Sequence, residues 1–415
     1  MVLLWGIRRT PPCLKNPLRL LVEGSAVSDI STLTPDDFSI ARNKTASIPA
    51  PGGEPVIGVL DTPFDDRVYF ADWVEACDLI PSEITIDASE KRHGTAVSSI
   101  IVDGPSIVPE LDDGCGRFRV RHFGVATGRR SSAFSFMRNV RDIVEQNRDI
   151  KVWNISQGSV REIARNFMSP EGATLDELQS RFDDIVFVVA GTNQTKAGQE
   201  KIGAPADSIN SLVVNATSFC GKTASYARQG PVLDFFKKPD VCAIGGDSDK
   251  RMPVCTATGQ YLMAGTSFAA PWIARKMAYL MQVMGLTREV AKALIIDSAA
   301  GWDYRASPRR GYGQVPVRIE DVVQSCDDEI KFTLTGTSEA YATYNYGIPV
   351  PIAKKKHPYI ARVTLCYFPQ CDRRQGVDYT SAEMDLHFGR INDKGTIQPL
   401  DNNRQGEEGF MTTEE

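Results

Sequence analysis

The first two thirds of the chain alternate between short apolar runs and longer stretches with helical periodicity. Residues 56–60 (VIGVL) and 185–190 (IVFVVA) are continuous apolar runs, typical of strands in a parallel sheet that is covered on both faces. This alternation predicts an α/β fold, namely a doubly wound, mostly parallel sheet with helices on both faces. The other strand-like runs lie at 118–125, 150–156, 211–216 and about 239–243, and helices are predicted at 134–147, 172–182, 267–284 and 287–299.

Beyond about residue 328 the pattern changes to the alternation of apolar and polar residues that is typical of strands. We therefore predict an N-terminal extension and linker at 1–55, with no regular pattern, an α/β domain at 56–322, and a β-rich accessory unit with a mobile tail at 323–415. The β-rich unit is interpreted as a small sandwich packed on the α/β domain. The alternative is a docking module with an open sheet edge.

Composition and charge exclude several classes of protein. The 415 residues carry a formal net charge of -5, and their basic residues are dispersed, so we predict no nucleic-acid partner. No apolar stretch approaches the roughly 18 residues of a membrane-spanning helix, and the sequence MVLLWGIRRTPPC does not have the order of a signal peptide. We predict no membrane contact.

Cysteine and carboxylate patterns predict neither disulfides nor a metal site. The nine cysteines are odd in number and include no CxxC pair, which favours a reduced, cytoplasmic protein. Residues 110–116 (ELDDGCG) lack the regular oxygen spacing of a calcium loop and are interpreted as a solvated turn. We predict no cofactor, and a structural calcium ion cannot be assigned to any residues.

Three reactive side chains each lie at the end of an apolar element, among small residues. Asp61 follows the strand at 56–60, where ligands of open α/β sheets bind. His93 is predicted to begin a helix, followed by small residues (GTAVSS). Ser267 lies at the start of another helix within AGTSFAAP, where small residues would allow a substrate backbone to approach. Separately, each residue also has a structural interpretation as a turn cap, a packed histidine or an N-cap.

Taken together, the order Asp, His, Ser and the surrounding motifs DTP, HGTAVSS and GTSFAAP resemble the subtilase family of serine peptidases. The similarity extends over about residues 56–320. It implies that Ser267 is the nucleophile, that His93 is its general base and acid, and that Asp61 orients the imidazole.

Two further segments resemble subtilase motifs. Residues 187–193 (FVVAGTN) resemble the strand and loop that carry the oxyanion asparagine, which implies that role for Asn193. Residues 152–158 (VWNISQG) resemble the strand along which the family binds its substrate backbone. The implied substrate-binding residues are Asn154, Ser156, Gln157, Gly158 and Gly191.

Two departures from the family pattern matter. The family sequence Ala-Gly-Asn is one residue longer here because Thr192 is inserted before Asn193. A one-residue bulge would keep Asn193 in place, and without it the Thr192 hydroxyl would occupy the asparagine position. The roughly 55 residues before the first α/β strand are short for the folding prodomain of secreted subtilases, which suggests an intracellular enzyme restrained by something else, with a partner protein as one candidate.

The sequence therefore predicts a serine endopeptidase that cleaves intracellular protein or peptide substrates through an acyl-enzyme. The alternative from another class is a catalytically weak subtilase-like protein that binds peptide segments by strand addition. An esterase with the same triad is a third interpretation. His122 lies in a strand pattern and is interpreted as structural, and His357 and His387 as surface or packing residues.

Overall fold

The computed structural model describes residues 1–9, 39–40, 47–127, 133–301, 307–339, 341–348, 359–384, 386–392 and 394–402. The predicted C-terminal tail and His357 lie outside these residues. The strands are β1 (Val2–Arg9), β2 (Ser39–Ile40), β3 (Val56–Asp61), β4 (Val74–Asp78), β5 (Arg119–Gly124), β6 (Val152–Ile155), β7 (Val186–Ala190), β8 (Leu212–Thr217), β9 (Val241–Ile244), β10 (Met252–Thr256), β11 (Gly259–Met263), β12 (Glu329–Thr335), β13 (Tyr359–Cys366), β14 (His387–Ile391) and β15 (Ile397–Asn402). The α-helices are α1 (Ala88–Ile107), α2 (Ala133–Gln146), α3 (Pro170–Arg181), α4 (Ala270–Ala278), α5 (Arg288–Ala300) and α6 (Ile319–Val323).

Seven parallel strands form the central sheet in the order β4-β5-β3-β6-β7-β8-β9. Successive residues of β3 point to opposite faces, so Val59 belongs to one apolar core and Leu60 to the other. Helices α1, α4 and α5 cover the first face, and α2 and α3 cover the second. The predicted doubly wound α/β fold is therefore confirmed.

The three strands at the centre of the sheet end at one edge. β3 ends at Asp61, β6 is followed by Ser156, and β7 is followed by the loop 191–193. Because the strands are parallel and adjacent, their carboxyl ends bring these polar residues together. The candidate residues Asp61, Ser156 and Asn193 therefore all lie at this edge of the sheet.

The helices that carry the histidine and the serine differ from the prediction. α1 begins at Ala88, where Asp87 and Glu90 form a capping box, so His93 lies in the second turn and not at the helix start. The predicted long helix at 267–284 is divided into a tight turn at Thr266–Phe268, helix α4, and a wider turn at Tyr279–Val283. Pro271 lies in the first turn of α4, where its missing N–H removes no helical bond.

The N-terminal residues, predicted to be irregular, include a strand that joins the C-terminal part of the chain. β1 is the middle strand of an antiparallel sheet between β12 and β13. Val2 and Leu4 are buried, and the sheet packs on α5, where Arg362 donates to Asp297 Oδ1 at 2.8 Å. The β-rich C-terminal part is present, but its described strands form this sheet and the hairpin β14–β15 instead of a sandwich.

The segment between β13 and β14 also docks on the α/β core through polar contacts. Tyr379 is buried, and its hydroxyl donates to Asp176 Oδ2 on α3 at 2.6 Å. The Pro369 carbonyl accepts hydrogen bonds from Ser180 and Asn210 at 3.0 Å each. His387, predicted as a surface or packing residue, is exposed on β14.

One acidic residue of the predicted solvated turn at 110–116 is in the interior. Asp113 is fully buried and forms a two-point ion pair with Arg275 of α4, with both nitrogen–oxygen distances at 2.8 Å. The solvated-turn interpretation is therefore wrong for this residue, although Asp112 is exposed. Among the described helices, none is both long and apolar enough to cross a membrane.

Candidate active site

Asp61 and His93 are joined by a direct hydrogen bond at the carboxyl edge of the sheet. The His93 Nδ1–H donates to Asp61 Oδ1 at 2.7 Å, and the Thr62 N–H donates to the same oxygen at 2.6 Å. Asp61 is fully buried, and its second oxygen has no hydrogen-bond partner among the described residues. The carboxylate therefore depends on His93 as its charge partner.

The interaction lowers the pKa of Asp61 and raises the pKa of His93. Burial of Asp61 acts to raise its pKa, but the charge of His93 and the hydrogen bond to it outweigh burial, so the pKa of Asp61 lies below its ordinary value. Burial acts to lower the pKa of His93, but Asp61 outweighs it and raises the pKa. The His93 side chain keeps 31% of its surface exposed, so the ring can still meet a ligand. An imidazole that is paired with a carboxylate on one side and exposed on the other can take up and return a proton.

Ser267 lies in the tight turn before α4, directly before Phe268. Phe268 packs against the His93 ring with a centroid distance of 5.7 Å. The Ser267 hydroxyl donates to the Ser156 carbonyl at 2.8 Å, and the Ser156 hydroxyl donates back to the Ser267 carbonyl at 3.0 Å. Both His93 and Ser267 are described, and no hydrogen bond joins them in this arrangement.

The loop after β7 accommodates its extra residue at Thr192. Thr192 adopts φ of 67°, in the left-handed region that side chains with a branched Cβ rarely occupy. Its side chain turns into the protein, where Oγ1 donates to the Gly191 carbonyl at 2.7 Å and accepts from the Gly203 N–H at 3.0 Å. The Thr192 hydroxyl is therefore engaged within the loop and does not face Ser267.

Asn193 lies against the turn that carries Ser267. Its Oδ1 accepts from the Thr266 N–H at 3.0 Å and from the Thr266 hydroxyl at 2.9 Å. A backbone N–H can only donate, so this contact assigns the oxygen and leaves the Nδ2 donors free of Thr266. A Cβ added at Gly265 would lie 3.0 Å from Asn193 Nδ2, so glycine lets the amide approach the turn.

The five residues predicted to bind substrate occupy different environments. Asn154 is fully buried, and its Nδ2 donates to the Ser156 hydroxyl at 2.9 Å, so it supports Ser156 from within. Ser156 and Gly191 are also buried, whereas Gln157 is half-buried and Gly158 is exposed. The prediction of direct substrate contact therefore does not fit the Asn154 side chain, because a central strand is covered on both faces.

A buried histidine near Asp61, His122, makes contacts that no short sequence motif indicates. The neutral His122 ring donates from Nε2 to the Thr62 carbonyl at 2.7 Å and accepts at Nδ1 from the Ser98 hydroxyl at 3.0 Å. Burial lowers the pKa of His122. Thr62 Oγ1 in turn accepts from the Gly94 N–H at 2.9 Å, so His122 holds the loop that links Asp61 to the His93 helix. The alternation of polar and apolar residues around His122 predicts a structural role but does not indicate this contact.

Comparison with known proteins gives one family match and several similar structures. Among curated protein sequences, none matches significantly. A solved variant of the protease domain of PatA is 20% identical, with a TM-score of 0.49, over 65% of this chain and 93% of that one. The prenylagaramide maturation protease PagA is 20% identical, with a TM-score of 0.48, over 65% of this chain and 92% of that one.

The family match covers the central sheet and all the candidate site residues. Residues 52–318 match the model of the subtilase family. This range is more than half of the 415 residues. The chain therefore belongs to the subtilase family of serine peptidases.

Proposed function

We propose that this chain is a serine endopeptidase that hydrolyses peptide bonds in protein substrates through an acyl-enzyme. The observation that carries the proposal is the 2.7 Å hydrogen bond between His93 and the buried Asp61, beside the turn of Ser267. A buried carboxylate that raises the pKa of a partly exposed histidine is the arrangement that prepares a general base.

In the proposed reaction, the Ser267 hydroxyl turns from the Ser156 carbonyl to His93 Nε2. Its oxygen then forms a bond to the substrate carbonyl carbon while His93 takes the proton. The oxyanion accepts hydrogen bonds from Asn193 Nδ2 and the Ser267 N–H. When the C–N bond breaks, His93 returns the proton to the leaving amine. Water then attacks the acyl-enzyme by the same steps, with no cofactor.

The substrate backbone is proposed to lie along residues 156–158. Ser156 and Gly158 provide backbone groups there, and Gln157 is the half-buried side chain that borders the groove. We assign Asn154 a positioning role through Ser156, and Gly191 the role of keeping the opposite wall close to β8, since its N–H donates to the Val214 carbonyl at 2.8 Å. The odd number of cysteines without a CxxC pair favours a cytoplasmic enzyme, which would act on intracellular proteins. Control by a partner protein stays a prediction.

The test is labelling of the purified chain with a small biotinylated fluorophosphonate. We expect strong labelling that is lost in Ser267→Ala and His93→Ala. Ser225→Ala and His387→Ala change exposed residues of the same types and should label like the parent chain. Failure of the folded parent chain to label would contradict an enzyme that is active without a partner, and would leave a latent enzyme or the alternative, a subtilase-like protein that binds peptide segments.

The oxyanion role of Asn193 gives a separate prediction. Asn193→Asp keeps an acceptor for Thr266 but removes the Nδ2 donor, so kcat should fall by at least about 10²–10³-fold with KM nearly unchanged, the loss known for the corresponding donor of subtilisin. Steady-state kinetics on a peptide substrate measure this. Gln194→Glu makes the same amide-to-acid change at the next residue and should change kcat by no more than a few fold. A similar loss in both variants would contradict the prediction.

The pH dependence of the reaction follows from the Asp61–His93 pair. His93 must be neutral to accept the proton, and Asp61 raises its pKa above the ordinary value of about 6.5. We therefore expect kcat/KM to fall as the pH decreases through a pKa above that value. In Asp61→Asn the acidic limb should move to lower pH. An acidic limb at the same pH in both proteins would show that another group controls it.

A further inference from the structure

The space beside Ser267 is bounded by two segments that follow adjacent strands. Residues 156–159 follow β6 and contact Ser267 through the paired hydrogen bonds of Ser156. Residues 191–193 follow β7 and contact the same turn through Asn193. If a peptide carbonyl carbon lies at Ser267 Oγ with its oxygen toward Asn193, the side chain on the acyl side of the scissile bond must enter between these two walls.

Thr192 belongs to the second wall, and its side chain extends across the space to the first. It is only 6% exposed, and its Cγ2 methyl packs against Gly158, where an added Cβ would lie 2.4 Å from that methyl. Its Oγ1 is held by the hydrogen bonds to Gly191 and Gly203 described above. The methyl therefore has a fixed position that bridges the two walls.

The wall opposite Thr192 cannot easily move away. The Ser159 N–H donates to the Ala204 carbonyl at 2.7 Å, and an added Cβ at Gly203 would lie 2.2 Å from the Ser159 carbonyl oxygen. Arg228 is fully buried and donates to the Ser159 carbonyl at 3.2 Å and to the Val160 carbonyl at 2.6 Å. Widening the space would break these bonds or leave a buried guanidinium with fewer acceptors, which is costly.

We propose that Thr192 determines specificity by restricting the residue on the acyl side of the scissile bond to glycine, alanine or serine. This inference rests on the proposed peptidase function and names its substrate class. A larger side chain would have to displace the Thr192 methyl or open the hydrogen-bonded walls. The insertion that lengthens the oxyanion loop thereby also closes the pocket beside the nucleophile.

Three substitutions separate the methyl group from the hydroxyl. Thr192→Ser removes Cγ2 and keeps the hydroxyl that bonds Gly191 and Gly203. Thr192→Val keeps the methyl against Gly158 and removes those hydrogen bonds. Thr192→Gly removes both and suits the positive φ, so it should fold without added backbone strain. If the methyl sets the size limit, Thr192→Val retains the parent preference while the other two relax it.

The experiment compares inactivation rates for peptidyl diphenyl phosphonates that differ only in the residue next to phosphorus: Ala, Val, Leu or Phe. The parent chain should react at least about 10-fold faster with the Ala probe than with the Phe probe, since poor fit of even one methylene changes such rates by about 10–200-fold. Thr192→Ser should react faster with the Val probe than the parent chain does. Thr192→Gly should raise the Phe-to-Ala rate ratio by about 10-fold or more, and Thr192→Val should leave it unchanged.

A small fluorophosphonate, which has no side chain to fit, reports the nucleophile separately in every variant. If the small probe labels the parent chain but the Ala and Phe phosphonates react equally fast, the size restriction is overturned and the peptidase proposal still stands. An unchanged ratio in Thr192→Gly would do the same. A parent chain that does not react with the small probe would overturn both. Thermal unfolding of each variant identifies any loss of activity caused by misfolding.

The Gly158 contact gives an independent check by a double-mutant cycle. Gly158→Ala places a Cβ against the Thr192 methyl and should slow reaction with the Ala probe. Adding Thr192→Ser removes the colliding methyl and should restore much of that rate, whereas adding Thr192→Val should not. Additive losses in both double variants would mean that Thr192 and Gly158 do not share the space, which would overturn the inference.

Discussion

An Asp61→Asn variant is expected to fold normally and to lose about 10⁴-fold in kcat. The amide can still accept from Thr62, but it no longer supplies the charge that stabilises protonated His93. The magnitude is that of the same Asp-to-Asn change in the Ser-His-Asp triad of a chymotrypsin-type peptidase, about 10⁴-fold with the geometry intact. Steady-state kinetics at a fixed pH, with the thermal unfolding midpoint measured on the same preparation, test the expectation.

The control is Asp78→Asn, which makes the same change at the same level of the sheet. Asp78 ends β4, and both Asp78 and Asp61 are in register with Gly124 of β5, which lies between their strands. Asp78 is exposed and does not contact His93, so its variant should keep kcat within a few fold. A comparable loss in both variants would show that the negative charge at this edge of the sheet, and not the Asp61–His93 hydrogen bond, is responsible for the effect on kcat.

Replacing Arg275 by Met is expected to lower the free energy of unfolding by about 3–5 kcal/mol. Arg275 and Asp113 are both fully buried, and removal of the guanidinium leaves the carboxylate in the core without its partner. Burial acts to raise the pKa of Asp113, and Arg275 more than offsets it, so the loss of Arg275 should also make Asp113 take up a proton. Urea unfolding followed by circular dichroism measures the change.

Two further variants test whether the lost stability comes from the unpaired Asp113 carboxylate or from disturbed packing. The double change Arg275→Met with Asp113→Leu removes both charges and should recover much of the lost stability. Arg318→Met breaks an exposed pair with Glu320 and should cost no more than about 1 kcal/mol. A double variant as unstable as Arg275→Met would show that packing, and not the unpaired carboxylate, is responsible.

The strands of the central sheet could be predicted because their residues are apolar on both faces. β3 and β7 were located to within one residue in this way. β4 was missed because four of its five residues are exposed at the edge of the sheet, so it has no apolar run. The hairpin β10–β11 was also missed. β1 could not be assigned because its partners lie more than 300 positions away, and a single strand carries no information about which others it joins.

The site residues could be predicted as far as short motifs describe them. Asp61, His93, Ser267 and Asn193 each have a motif, and the structure places them at one edge of the sheet. The contact between His122 and Thr62 has none, because it depends on which strand lies beside β3. The conformation of Thr192 is set by Gly158 and Gly203, which are distant in sequence, so the size of the pocket could not be predicted from the loop alone.

The position of β1 also constrains when the molecule can be completed during synthesis. β1 pairs with β13, and the register joins Val2 to Cys366. A ribosome must therefore translate both ends of this range before the three-stranded sheet can close, whereas all seven strands of the central sheet have been synthesised once β9 is complete. β1 consequently stays unpaired in the nascent chain until β12 and β13 have been synthesised, and its apolar residues and free backbone groups are exposed to other contacts during that time.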